Sequence, residues 1–228
     1  MIEFSGCSEE MYQFFWEIAF QNHREFFEAN RDRYKRVVQE PMRALAAELL
    51  PTALSLNPSF NQRVTTIVSR IRRDTRYSHD KSPYRDHVWL AFKPAEKRTS
   101  ECFVVYAEFE RDHYGYGMGM YAPDTTQMNA LRARMLAQPK RFLSLVEAPA
   151  FVNRFSVEGE LYRRPKFRDC PAELSSWLNR KSLTFCYTSS ALSKTYSRAI
   201  VDELIEAFTL LRPVYRSVSY THLRAHET

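Results

Sequence analysis

The stretch HVWLAFKPAEKRTSECFVVYAEFERDHYGYGMGMY, residues 87–121, decides the fold class. It holds three short segments, 87–92, 102–109 and 113–121, that are rich in β-branched or aromatic residues and are separated by charged turns. Strands that follow one another over such short connections pair antiparallel, because a parallel pair needs a long crossover. The stretch therefore predicts three neighbouring strands of an antiparallel sheet.

Helical patterns surround this stretch on both sides. Apolar residues recur at helical spacing in segments 8–20, 24–40, 41–50, 128–137, 140–148, 171–180 and 196–215. Strand-like patterns predict further strands at 64–72, 155–159 and 182–187. We therefore expect an α+β fold, with a mostly antiparallel sheet flanked by helices, a helical N-terminus and a C-terminal helix.

Composition indicates one globular domain. The chain has 228 residues, of which 44% are hydrophobic, and a net charge of +6 that is dispersed along the sequence. No apolar run is long enough for a membrane helix, and no signal peptide pattern precedes residue 20. The four cysteines form no CxxC pair, as is typical of thiols in a reducing compartment. We expect a cytoplasmic protein that does not contact membranes.

The last residues, VSYTHLRAHET (218–228), resemble a translated adapter of transposase-based sequencing libraries. We therefore predict a single domain over 1–217, followed by a tail that is not native. The spacing of His222 and His226 suits a metal ligand pair on a helix, but the pair lies in this tail. Accordingly, we predict no metal site and no cofactor.

The segment RIRRDTRYSHDKSPYRDH (70–87), the charged loop, is the main candidate site. Arginine and lysine side chains held together by turns can bind phosphate or carboxylate. The predicted anion-binding residues are Arg73, Arg76, Lys81 and Arg85. Asp74 and Asp80 are the candidates for a catalytic acid or base, and could equally orient the arginines. The alternative is an internal lattice in which each aspartate pairs with a neighbouring arginine.

Three other features are predicted to support this site. Gly115, Gly117 and Gly119, the glycine stripe, share one face of a strand and would admit a ligand, or a closely packed helix or a bulge. Asn22 and Arg24 lie where two predicted helices meet, and could bind an anion or cap a helix. The remaining supporting residues are Tyr84 of the charged loop and Lys166 of the loop YRRPKFRDCP (162–171).

Four motifs in fixed order carry a family resemblance. They are QNHREFFEANRDRY (21–34), RIRRDTRYSHDKSPYR (70–85), YGYGMGMYAP (114–123) and YRRPKFRDCP (162–171). In these motifs the chain resembles the DUF2461 family of uncharacterised proteins, up to about residue 216. The resemblance implies a bacterial, cytosolic protein of this architecture, and it implies no particular reaction.

Three functions remain open at the level of sequence. The first is binding of a small molecule that bears a phosphate or carboxylate, with or without a reaction on it, between the charged loop and the glycine stripe. The second is association with nucleic acid through basic surface, with Tyr77 and Tyr84 as stacking platforms. The third is a structural or interaction domain whose charges are internally paired. We prefer the first.

Overall fold

A computed structural model describes residues 3–76 and 79–219 of the chain. Its strands form one sheet in the order β1-β2-β3-β5-β4, with every neighbouring pair antiparallel. The strands are β1 (Val88–Phe92), β2 (Val104–Phe109), β3 (Tyr114–Gly119), β4 (Ser156–Glu158) and β5 (Thr184–Ser189). The three strands predicted within residues 87–121 are adjacent, and the expected α+β class is confirmed.

Helices precede, interrupt and follow the sheet. In chain order they are α1 (Glu9–Phe20), α2 (Arg24–Ala29), α3 (Arg31–Tyr34), α4 (Glu40–Leu56), α5 (Val64–Ile67), α6 (Thr125–Ala137), α7 (Pro139–Val146), α8 (Pro149–Val152), α9 (Ser175–Leu178) and α10 (Ala199–Val218). A π-helical turn, Lys35–Gln39, joins α3 to α4. Pro41 lies in the first turn of α4, where a missing N–H costs little, so the helix begins there instead of breaking.

The strand predicted at 64–72 is wrong. Residues Val64–Ile67 form α5. The rest of the predicted strand, 68–72, makes two isolated β-bridges, one between Val68 and Leu90 and one between Arg72 and Tyr84. Side chains explain the helical turn: Asn61 accepts the N–H of Arg63 at 2.9 Å, and Thr66 Oγ1 donates to the carbonyl of Arg63 at 2.7 Å. Such local bonds outweigh the β preference of Val64 and Ile67.

The helix predicted at 171–180 is much shorter than expected. Its residues form a 3₁₀ turn, Ala172–Leu174, followed by the four-residue helix α9. Asn179 caps the end of α9, where its side-chain amide donates to the carbonyl of Ser175 at 3.0 Å. Its side-chain oxygen accepts the backbone N–H groups of Lys166 at 2.8 Å and Phe167 at 3.1 Å. Asn179 therefore anchors the preceding loop, 162–171, on the end of α9.

Alternation along the strands gives the sheet two different faces. One face is buried under α4 and α10, where Phe92 meets Phe208 edge to face with ring centres 5.6 Å apart. The opposite face, here called the open face, carries half-buried Trp89, Tyr106 and Glu108. An antiparallel sheet commonly has one face on the core and one toward solvent. The open face is where a site can form.

None of the helices within residues 3–76 and 79–219 combines the length and apolar character needed to cross a lipid bilayer. Helix α10 ends at Val218, which is buried, and Ser219 follows it. Most of the predicted adapter-like tail, residues 220–228, lies outside the described residues, as do Tyr77 and Ser78 of the charged loop.

Candidate functional site

A cleft of about 830 Å³ opens on the open face of the sheet. Its floor is formed by β1 and β2, which contribute Trp89, Tyr106 and Glu108. The charged loop forms one wall, and residues after β3 and before β5, including Tyr121 and Ser182, line the opposite side. The volume lies in the range of small-molecule binding sites.

The register of β1 and β2 brings the floor residues together. Trp89 lies directly opposite Glu108, and Ala91 directly opposite Tyr106. Side chains at opposite positions of an antiparallel pair project to the same face, with β-carbons about 5 Å apart. The strands therefore present an indole, a phenol and a carboxylate side by side on the cleft floor.

Of the predicted site residues, all of which lie in the described part of the chain, the cleft is lined by four: Arg73, Asp74, Arg85 and Gly119. Arg73, Asp74 and Arg85 reach the cleft because the two ends of the charged loop pair like a hairpin. The N–H of Arg73 donates to the carbonyl of Pro83 at 2.9 Å, and the N–H of Arg85 donates to the carbonyl of Ile71 at 2.8 Å. The loop thus delivers two arginines to one wall.

Arg85 is the cation of this wall without a paired carboxylate. Its Nη1 donates to the carbonyl of Arg70 at 2.8 Å and also to that of Arg72, and its guanidinium carbon lies 4.7 Å from the centre of the Trp89 ring. Among the described residues no carboxylate lies within ion-pair distance of it. Burial, and then repulsion from Arg73, lower the pKa of Arg85, while Asp74 partly opposes them.

Arg73 belongs partly to the internal lattice. Its guanidinium bonds Asp80 at 2.5 Å and lies 3.7 Å from Asp86. Its Nε atom is buried, and within the described residues it has no hydrogen-bond partner. Arg73 is therefore held by aspartates on one side while it lines the cleft.

Arg76 and Lys81 do not line the cleft. Arg76 is exposed and bonds Asp74 at 2.7 Å, while Lys81 Nζ donates to the carbonyl of Thr75 at 2.8 Å. Hydrogen bonds from Arg76 lower the pKa of Asp74 to about 2, and hydrogen bonds from Ser82 lower that of Asp80. Both aspartates are thus stabilised as anions, which makes them poor proton carriers at neutral pH.

Asn22 and Tyr84 anchor the charged loop from outside the cleft. The Asn22 side chain donates to the carbonyl of Tyr84 at 2.9 Å and accepts its N–H at 2.9 Å. The Tyr84 ring is buried and stacks on Phe27 with centres 4.4 Å apart, so it is not an exposed stacking platform. These contacts hold the loop against the N-terminal helices.

Two basic residues predicted to support the site lie elsewhere. Arg24 is exposed at the first position of α2. Lys166 is exposed, and its Nζ lies 4.2 Å from the centre of the Tyr162 ring. The structure does not bring either residue to the cleft wall.

The glycine stripe reflects close approach of β5. A β-carbon on Gly117 would lie 2.0 Å from the carbonyl oxygen of Phe185, and one on Gly119 would lie 2.4 Å from Thr184 Oγ1. The packing that was expected from a helix or a bulge is thus made by the neighbouring strand. Only Gly119 of the stripe lines the cleft.

Glu108 is a cleft residue that sequence reasoning missed. Its side chain is half-buried and, among the described residues, makes no hydrogen bond or ion pair. Burial raises its pKa, repulsion from Glu110 and Glu158 adds to this, and His113 and His87 oppose it. The sequence did contain a signal for Glu108: it is a charged residue within the strand-like segment 102–109. Residues two positions apart in a strand share a face, so Glu108 lies on the same face as Tyr106.

Trp89, His87 and Tyr106 also line the cleft and were not among the predicted site residues. The His87 and Trp89 rings stack with centres 5.4 Å apart, and His87 Nδ1 lies 3.1 Å from Asp86. Burial raises the pKa of Tyr106. Within the described residues, no three His, Cys, Asp or Glu side chains are placed to hold a metal ion.

The comparisons with known proteins agree with the motif order. The sequence model of the family described as "Conserved hypothetical protein (DUF2461)" matches residues 10–216. No curated protein shows significant similarity to the chain. Since the match covers most of the sequence, the chain belongs to the DUF2461 family.

Proposed function

We propose that the cleft binds a small molecule bearing a phosphate or carboxylate, and that Arg85 holds the anion with Arg73 beside it. The observation that carries this proposal is the state of Arg85, which lines the cleft without a carboxylate partner among the described residues. Because a half-buried guanidinium beside a second arginine is destabilised, an anion in the cleft would relieve both desolvation and repulsion.

The shape of the site supports a small ligand over nucleic acid. Arg73 and Arg85 both line a concave cleft, whereas Arg76 and Lys81 do not. A nucleic-acid surface needs basic residues and aromatic platforms spread along the strand path, and Tyr84 is buried. This arrangement therefore does not favour nucleic-acid association. If nucleic acid did bind, its affinity should fall steeply with salt concentration.

A structural role has support from specific contacts as a second candidate. The pairs Arg76 with Asp74 and Arg73 with Asp80 are the internal lattice expected for a domain with satisfied charges. Under this alternative, changing these residues would lower stability, and no ligand would bind. The two candidates differ in what Arg85 does.

The test compares thermal stabilisation and calorimetric binding for wild type, Arg85→Gln and Lys81→Gln, using a panel of phosphorylated and carboxylated metabolites. Both variants lose one positive charge from the same loop, but only Arg85 lines the cleft. We expect ligand-induced stabilisation of wild type and of Lys81→Gln, and its loss in Arg85→Gln. Equal stabilisation of both variants, or none in wild type, would refute the proposal.

A further inference from the structure

The cleft contains two charges of opposite sign that lack a partner of opposite charge among the described residues. Arg85 is the positive one, and Glu108 is the negative one. The other carboxylates of this region are engaged: Asp74 by Arg76, Asp80 by Arg73, and Asp86 by His87 and Arg111. Among the described carboxylates that line the cleft, Glu108 is therefore the one without an ion-pair partner.

The fold makes room for the Glu108 carboxylate. Glu108 lies opposite Gly115 in the pairing of β2 with β3, and a β-carbon on Gly115 would come within 3.1 Å of Glu108 Oε1. Because Gly115 has no side chain, the Glu108 carboxylate can lie over β3, and Glu108 lines the cleft. Gly115 therefore supports the site by leaving space for Glu108, although Gly115 itself does not line the cleft.

Both charged residues line the same cleft. The guanidinium of Arg85 lies 4.7 Å from the centre of the Trp89 ring, and Trp89 is the register partner of Glu108, so Trp89 lies between the two charged residues on the cleft floor. A half-buried carboxylate near Glu110 and Glu158 is relieved best by a cation, since a neutral donor leaves the net charge unchanged.

We infer that the ligand is a zwitterion, whose phosphate or carboxylate lies against Arg85 and whose protonated amine lies against Glu108. This inference rests on the proposed anion site and adds the second half of the ligand. It assigns to Glu108 the role of a binding residue that selects amino acids or amino phosphates over plain acids.

The experiment uses two matched pairs of probes: ethyl phosphate against O-phosphoethanolamine, and propionate against β-alanine. Within each pair only the second probe carries an amine. We expect the amine-bearing probe of at least one pair to bind wild type about tenfold more tightly at pH 8, the gain typical of a charge-assisted hydrogen bond. The readout is the ratio of the two Kd values, measured by titration calorimetry.

Variants assign the preference to Glu108. In Glu108→Gln the ratio should fall to near one, while the plain acid binds as before. Glu110→Gln is the matched control, because it removes a neighbouring carboxylate that does not line the cleft, and it should keep the preference.

The pH dependence of wild type is a second readout. The groups facing Glu108 are Glu110, His113, His87, Glu158, Tyr106 and Cys186. Burial raises the pKa of Glu108, and its protonation removes the charge that holds the amine, so the ratio should fall as pH drops from 8 to 5. Glu108→Gln, measured in parallel, also reports how ionisation of the probes themselves changes the ratio, and in this variant the fall should be absent.

The outcomes separate the two proposals. Equal binding of both probes in each pair, with loss in Arg85→Gln, would overturn the zwitterion inference and leave the anion site standing. A wild-type preference that persists in Glu108→Gln, or that does not change between pH 8 and pH 5, would also overturn it. If no probe binds, both proposals are wrong.

Discussion

At the scale of single residues, the arginines of the charged loop have different roles although their sequence context is similar. Arg76 bonds an aspartate two positions away, and Arg73 bonds one seven positions away. Arg85 instead bonds the carbonyls of Arg70 and Arg72 across the hairpin. The sequence question of anion site or ion-pair lattice therefore has a separate answer for each arginine.

Arg132 shows how a buried arginine can be structural. It lies on α6, is only 3% exposed, and donates to the carbonyls of Leu178 at 2.7 Å and Arg180 at 2.8 Å. Its guanidinium carbon also lies 4.5 Å from the centre of the Phe167 ring. The residue thus ties the loop that contains Lys166 to the helical layer.

We expect Arg132→Met to destabilise the protein. Each carbonyl left without its donor costs about 1–3 kcal/mol, so the midpoint of urea unfolding should fall clearly. Arg141→Met on α7 is the control, because Arg141 is exposed and its loss should change the free energy of unfolding by less than about 0.5 kcal/mol. Similar effects of the two changes would contradict the structural role of Arg132.

At the scale of elements, β3 is the central strand of the sheet, and its glycines are explained by its neighbours. Tyr114, Tyr116 and Met118 point into the core, and the glycines between them face the backbone and side chains of β5. The alternation was readable from HYGYGMGMY (113–121), but the identity of the crowding partner was not. Strand β5 is far away in sequence, and only the pairing of β3 with β5 brings it close.

Substitution within the glycine stripe should have graded effects. In Gly117→Ala the new β-carbon would meet the Phe185 carbonyl oxygen at 2.0 Å, and we expect a loss of about 1–3 kcal/mol, the usual cost of overpacking. Gly115→Ala is the milder comparison, since its nearest atom, the Tyr187 carbonyl oxygen, is 2.9 Å away. Thermal unfolding of the two variants measures the difference, and the reverse order would contradict this register.

At the scale of the whole molecule, α10 joins distant parts of the chain. It packs against α4 from the N-terminal part, against β3 in the sheet, and against α6 and α7. Its inward residues, including Leu204, Phe208 and Leu211, are fully buried. Because one helix contributes to every layer, the layers are expected to lose their structure together.

We therefore predict a single cooperative unfolding transition, which tests the expected single domain. The three tryptophans report on separate regions: Trp16 on α1, Trp89 on β1 and Trp177 on α9. Variants that keep one tryptophan each should unfold at the same denaturant concentration by fluorescence, and circular dichroism should agree. Transitions at different concentrations would indicate separate folding units.

The sequence by itself determined the α+β class and the three adjacent strands of 87–121, because periodicity and short connections are properties of consecutive residues. It also determined the family, through four motifs in fixed order. It failed at 64–72, where side-chain hydrogen bonds of Asn61 and Thr66 outweigh strand propensity. Only the tertiary structure decided that Arg85 lines the cleft without a carboxylate partner among the described residues, and that Glu108 shares this cleft. The physical reason is that ion pairing and desolvation depend on strand register and loop crossing, which bring together residues that no local pattern connects.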